Sequence, residues 1–94
     1  MSYDIHINTF HMRGTTVKAQ AVKVLEESAE VFGAWQQVEN EFLLKTCGFI
    51  VKERFEDEIA DCLQALANLA DMYDIDLEAA MRRCDGRNEA RGRL

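Results

Sequence analysis

The sequence predicts an all-α fold, and two observations lead to that prediction. Two long segments repeat apolar residues at helical spacing, so that each forms one continuous stripe when successive residues turn by about 100°. No segment alternates apolar and polar residues over the length of a strand, and no internal repeat is visible. The 94 residues are enough for a single domain, which we take to span residues 1–94.

The first helix is expected from about residue 17 to about residue 40, with Thr15 or Thr16 as its N-cap after the break at Gly14. Its apolar stripe contains Val17, Ala21, Val24, Leu25, Ser28, Val31, Phe32 and Trp35. Its opposite side contains Lys23, Glu26, Glu27 and Glu30. Taken alone, this helix favours a solvated acidic face on which the lysine pairs with the first two glutamates, and Glu27 lies nearest the edge of the stripe.

Residues 41–50 are apolar but short and are interrupted by Gly48, which indicates a connector with one helical turn. A second long helix is expected over residues 52–73. This helix also has an apolar stripe, but its acids do not lie on the opposite side. Glu58 lies close to Leu69, and Asp61 lies on the same side of the helix as an alanine and a methionine. We therefore expect both carboxylates to be partly buried, which requires a metal ion or a cationic side chain against them.

The remainder of the chain is a turn followed by a basic helix. Asp76 is a good N-cap for a helix from residue 77 to residue 84 or somewhat beyond, and Gly86 is expected to loosen or end it. The tail contains Arg82, Arg83, Arg87, Arg91 and Arg93. These arginines indicate either an anion site or a solvated tail whose charges complement a helix C-terminus.

The acidic residues come in two pairs with helical spacing. Glu27 and Glu30 are three residues apart, as are Glu58 and Asp61, so each pair shares one face of its helix. If the two helices pack side by side, four carboxylates come close together and repel one another. Such a site is expected to bind a cation, which relieves the repulsion. Oxygen ligands of this kind suit Mg²⁺, or Mn²⁺, rather than zinc.

Composition restricts the function classes. The net charge of −6 argues against binding a nucleic-acid polymer. Three cysteines without close pairing are typical of reduced thiols in a cytoplasmic protein, and no apolar run has the length of a membrane span. A domain of this size buries only about 60–65% of the surface of its unfolded chain, so we expect it to gain from a partner.

The pattern Glu-Glu-x-x-Glu, followed after 27 residues by Glu-x-x-Asp, resembles the MazG-like family. These proteins are all-α nucleoside triphosphate pyrophosphohydrolases, related to dimeric dUTPases and phosphoribosyl-ATP pyrophosphohydrolases. The resemblance runs from Lys18 to Arg91 and includes Lys23 before the acids and Asp-Ile-Asp-Leu before the basic helix. Three helices cannot close a core around two apolar stripes and the connector as well, so we expect a helical bundle completed by homo-oligomerisation, as a homodimer or homotetramer. Trp35, Phe32 or residues 42–50 are expected at or near the contact between copies.

The resemblance also implies roles for individual residues. The metal ligands would be Glu27, Glu30, Glu58 and Asp61, and the first two would also activate the attacking water. Asn88 and Arg91 would contact substrate phosphates, with Arg87 as a further candidate, although the position where relatives have a basic residue holds Cys84. Trp35 could stack on the base, but a core or dimer-interface position fits its place in the stripe better. Lys23 and Glu26 would contact the metal-binding residues and not the metal itself.

The reaction implied is cleavage of a nucleoside triphosphate to the monophosphate and pyrophosphate, with Mg²⁺ neutralising the phosphates and holding the water in line. Two alternatives stay open. One is a phosphoribosyl-ATP pyrophosphohydrolase, and the other is a catalytically silent helical dimer that acts as an interaction module.

Overall fold

The computed structural model describes all 94 residues and contains three helices and no strand. Helix α1 spans Val17–Val38, α2 spans Glu41–Asp71 and α3 spans Leu77–Ala90. The all-α prediction is therefore confirmed. None of the three helices combines the length and the apolar character that crossing a membrane would require.

Each helix begins at a side-chain cap. The side chains of Thr16, Asn40 and Asp76 each accept a hydrogen bond from the backbone N–H three residues later, at 3.0, 2.9 and 2.9 Å respectively. Such caps satisfy one of the N–H groups that a helix leaves unpaired at its start. The predicted caps at Thr16 and Asp76 are confirmed, and Asn40 is an additional one.

Of two predicted breaks, the one near Gly48 is present only as a kink and the one at Gly86 is absent. Residues 41–50 are not a connector but the first turns of α2, which leaves helical geometry only at Cys47 (φ −146°, ψ 42°). This kink lies directly before Gly48, so the glycine accompanies a bend without ending the helix. Similarly, α3 continues through Gly86 as far as Ala90, because one glycine costs a helix only about 1 kcal/mol.

Helices α1 and α2 pack along each other, whereas α3 makes almost no contact with either. The buried apolar residues are few and small: Ala34, Val51, Ala65 and Ala67. The radius of gyration is 16.1 Å and the dimensions are 44 × 42 × 20 Å, whereas a compact chain of this length has a radius of about 12 Å. A single copy is therefore a flat, open arrangement of helices with little interior.

The predicted apolar stripes are only partly covered. On α1, Leu25, Phe32 and Trp35 are exposed, and Phe32 and Trp35 contact each other with ring centroids 5.5 Å apart. Phe49 and Ile50, which belong to the predicted connector and now lie in α2, are also largely exposed. The single chain therefore covers its apolar stripes only in part, and the location of Phe32, Trp35 and residues 42–50 at a contact between copies stays a prediction.

The segment before α1 has no regular structure but is attached to α2. The N–H of Phe10 donates to Oδ1 of Asn68 at 3.1 Å, and Nε2 of His11 lies 2.8 Å from Oδ2 of Asp71. These bonds join residues almost 60 positions apart in the sequence. They hold the segment along the C-terminal half of α2, beside the acidic residues described next.

Candidate metal centre

Three of the predicted carboxylates converge between α1 and α2. Glu27 of α1 and Glu58 and Asp61 of α2 each place one carboxylate oxygen within 4.8 Å of the other two. We call these three residues the acidic cluster. The spacing of three along α2 puts its two acids on one face, and the packing of α1 brings the third to the same place.

Two oxygens of the acidic cluster are buried without a partner. Glu27 is only 8% exposed and the side chain of Glu58 only 17%. The Oε2 atoms of both are sealed from solvent and accept no hydrogen bond. Buried polar groups nearly always have a partner, and a buried unpaired carboxylate oxygen is costly. A divalent cation would satisfy both atoms, so the residues fit a metal ion of the magnesium type.

The same local arrangement holds both glutamates. Lys23 Nζ lies 3.2 Å from Oε1 of Glu27, and Arg54 Nε lies 3.9 Å from Oε1 of Glu58. Each cation precedes its acid by four residues, the spacing at which helical side chains meet. In both pairs the cation contacts Oε1 and leaves Oε2 free for the acidic cluster.

The neighbouring acids stabilise the charged form of Lys23. The hydrogen bond to Glu27 is the main cause of a raised pKa for Lys23, followed by the negative charge of that carboxylate and by the charges of Glu26 and Glu30. Lys23 therefore remains charged at neutral pH and fixes the position of Glu27. Its partner is Glu27 alone, so the predicted pairing of Lys23 with Glu26 is wrong: Glu26 is exposed and makes no ion pair.

Burial also differs from expectation in two places. Glu27 was expected at the edge of a solvated face, but it is the most buried acid of the cluster, because α2 packs against that edge. Partial burial is confirmed for Glu58 and wrong for Asp61, which is exposed. Glu30 is exposed and lies outside the acidic cluster, so a single chain brings together three of the four predicted ligands.

The acidic cluster opens into a cleft of about 290 Å³. One part of its wall is charged and contains Lys23, Glu27 and Asp61. The rest is apolar or amide-bearing and contains Phe10, Met12, Gln20, Gln64, Ala65 and Asn68. The cleft thus combines a charged region suited to a cation with a neighbouring region of apolar and amide side chains.

The predicted phosphate-binding residues lie elsewhere. Asn88 and Arg87 belong to α3, and Arg91 is its C-cap. Asn88 contacts Cys84 and Arg93, and none of the three residues lines the cleft. Trp35 does not line it either. Within one chain, the acidic and basic clusters are therefore not brought together.

Sequence reasoning did not identify Arg54, which contacts the acidic cluster, or three amides that line the cleft, Gln20, Gln64 and Asn68. The i,i+4 spacing of Arg54 and Glu58 could have predicted that these two side chains pair on one helix face. The three amides carry no such signal, because their positions depend on contacts between distant segments, as in the bond from Gln20 Nε2 to the carbonyl of Ala65 at 3.1 Å.

Comparison of the chain with protein-family models, with curated proteins and with solved structures gives no match.

Proposed function

We propose that the chain is a Mg²⁺-dependent nucleoside triphosphate pyrophosphohydrolase of the MazG-like type. The observation that carries the proposal is the pair of sealed, unpartnered Oε2 atoms of Glu27 and Glu58, two acids whose carboxylates converge with that of Asp61 where α1 packs on α2. Acids kept only for solubility would be exposed, whereas the Oε2 atoms of these two are buried and accept no hydrogen bond from the protein.

The chain's own residues have distinct roles in this proposal. Glu27, Glu58 and Asp61 would hold the ion, while Lys23 and Arg54 keep the two glutamates oriented through their Oε1 atoms. Mg²⁺, when bound, supplies charge neutralisation at the phosphates and lowers the pKa of a coordinated water. Asp61, the most accessible acid of the cluster, is placed at the cleft wall, where it can accept a proton.

The proposal includes a second copy of the chain. The exposed aromatic pair Phe32 and Trp35 and the apolar first turns of α2 need a cover, and two copies would provide it. A homodimer or homotetramer also gives α3 a surface to pack on. In such an assembly Asn88 and Arg91 would contact the substrate's phosphates, as the resemblance implies.

The exposed apolar surface equally favours the second candidate, a silent helical dimer acting as an interaction module. The two candidates differ at the acidic cluster, because a silent module has no need of sealed, unpaired carboxylate oxygens.

The test is a panel of nucleoside triphosphates incubated with Mg²⁺ and scored for pyrophosphate and monophosphate, with phosphoribosyl-ATP included. We expect pyrophosphate release from at least one nucleoside triphosphate, lost in Glu27→Gln. Turnover of phosphoribosyl-ATP alone would favour the related enzyme, and turnover of none would favour the interaction module.

A further inference from the structure

The uncharged part of the cleft contains three amide side chains, Gln20, Gln64 and Asn68. We call these three residues the amide cluster. Gln20 and Asn68 are only 7% and 5% exposed. Buried amides at a cleft wall are a means of reading hydrogen-bonding groups on a ligand. What they can read depends on which of their atoms remain free.

The orientation of each amide is fixed by a backbone partner. Nε2 of Gln20 donates to the carbonyl of Ala65 at 3.1 Å, and Nε2 of Gln64 donates to the carbonyl of Asn8 at 2.9 Å. A carbonyl can only accept, so in both glutamines the nitrogen points to the backbone and Oε1 points away.

In Asn68 the amide oxygen, and not the nitrogen, is bonded to the protein. Its Oδ1 accepts from the N–H of Phe10 at 3.1 Å and from Nε2 of Gln64 at 2.9 Å. A backbone N–H can only donate, so Oδ1 and Nδ2 cannot be exchanged. Nδ2 of Asn68 is therefore left without a partner.

The amide cluster thus retains two free acceptors, the Oε1 atoms of Gln20 and Gln64, and one free donor, Nδ2 of Asn68. The chain's sealed and unpaired side-chain atoms are confined to Glu27 and Glu58. The three free amide atoms are therefore not completely sealed, and all three residues line the cleft.

An aromatic side chain completes this surface. Phe10 is 52% exposed, lines the same cleft and is held to Asn68 through its backbone N–H. Its ring therefore stays free to contact a ligand while its backbone is fixed. An aromatic face beside directed hydrogen-bonding groups suits a flat heterocycle.

We propose that the amide cluster and Phe10 bind the base of the substrate and select bases that carry an exocyclic amino group. This inference rests on the proposed nucleotide substrate. An amino group offers two N–H donors, or one beside a ring N–H, to the two free acceptors, and a neighbouring ring nitrogen or carbonyl accepts from Asn68. Cytosine, adenine and guanine meet this pattern. Uracil, thymine and hypoxanthine have a single N–H on the corresponding edge and leave one protein acceptor unpaired.

The experiment measures binding of nucleoside monophosphates by calorimetry without a divalent ion, so that the result does not depend on hydrolysis. CMP and UMP, and likewise AMP and IMP, differ by exchange of an amino group for an oxygen. We expect the amino member of each pair to bind at least tenfold more tightly, because its analogue leaves an acceptor unpaired. Equal binding within both pairs, or no binding of any at millimolar concentration, would overturn the inference.

Two variants locate the effect. Gln20→Leu removes one acceptor and should bring the CMP-to-UMP ratio close to one. Phe10→Ala keeps the backbone bond to Asn68 and should weaken binding of all four nucleotides by about tenfold through loss of stacking. Tyr3→Ala is the matched control, since Tyr3 is exposed in the same segment and does not line the cleft. If Gln20→Leu does not fold, the wild-type panel and Phe10→Ala decide the question.

The outcome separates this inference from the proposed function. Hydrolysis of all triphosphates without base preference would refute the amide cluster as a base reader and leave the enzyme in place. Base-selective binding without hydrolysis would support the amide cluster and refute the enzymatic activity.

Discussion

Substitution of Glu58 by glutamine tests the acidic cluster through protein stability. At 4.8 Å, two unit charges repel by about 0.9 kcal/mol in water and about 3.5 kcal/mol at the effective dielectric constant of a protein surface. Glu58 has two such neighbours, Glu27 and Asp61. The substitution also removes the 3.9 Å contact with Arg54, and a pair of this kind contributes about 0–1 kcal/mol.

Relief of repulsion exceeds the loss of the ion pair even at the water value, so Glu58→Gln without metal should be more stable than wild type by at least about 1 kcal/mol. For a domain of this size that corresponds to a melting temperature about 4–8 °C higher. With Mg²⁺ at a hundred times its dissociation constant, wild type should gain about 2.7 kcal/mol, and the variant should gain much less because a ligand has been lost.

The assay is thermal unfolding of both proteins at one concentration, with and without Mg²⁺. Glu56→Gln is the matched control: it removes the same charge from the same helix, at an exposed residue outside the acidic cluster. A variant less stable than wild type without metal, or an Mg²⁺ shift equal to that of wild type, would refute the metal centre.

Three further outcomes are expected. Glu27→Gln should abolish both the Mg²⁺ shift and turnover, whereas Glu30→Gln should keep a measurable shift because Glu30 lies outside the acidic cluster; equal loss in thermal unfolding would place Glu30 among the ligands. Arg91→Ala should raise the Michaelis constant and slow turnover while the Mg²⁺ shift is unchanged, and wild-type kinetics with every nucleotide would remove Arg91 from the site. Sedimentation should show at least a dimer, which Phe32→Ala together with Trp35→Ala should weaken, and a compact wild-type monomer at micromolar concentration would contradict this.

The features that the sequence predicted correctly are local ones. Helical periodicity placed α1 and most of α2, and short-range caps at Thr16 and Asp76 placed two helix starts. The errors at Gly48 and Gly86 arose because a glycine lowers helix stability without deciding the outcome, and helical residues on both sides outweigh it.

The candidate site was harder to predict, because it depends on how two helices meet. Glu58 and Asp61 share one face of α2 because of their spacing, and this could be predicted from a single helix. The burial of Glu27 depends on how α1 and α2 are aligned against each other, and the apolar periodicity of either helix does not determine that alignment. The same holds for Asn68, whose partner Phe10 is 58 residues away. The exposure of Phe32 in the single chain was anticipated, because three helices cannot cover both apolar stripes, but the stripe alone does not identify the surface that covers it.

The proposed second copy of the chain would explain both the open shape of the chain and the separation of Arg87 and Arg91 from the acidic cluster. The acidic cluster is assembled within one copy, by α1 and α2. The basic residues Arg87 and Arg91 are carried by α3 and its C-cap, and α3 packs on neither helix. A substrate bridging a cation and several phosphates needs both clusters, so a second copy that covers the apolar stripes would also determine where α3 lies. Assembly and phosphate binding should then be lost together on dilution, whereas Mg²⁺ binding, which needs only one chain, should remain.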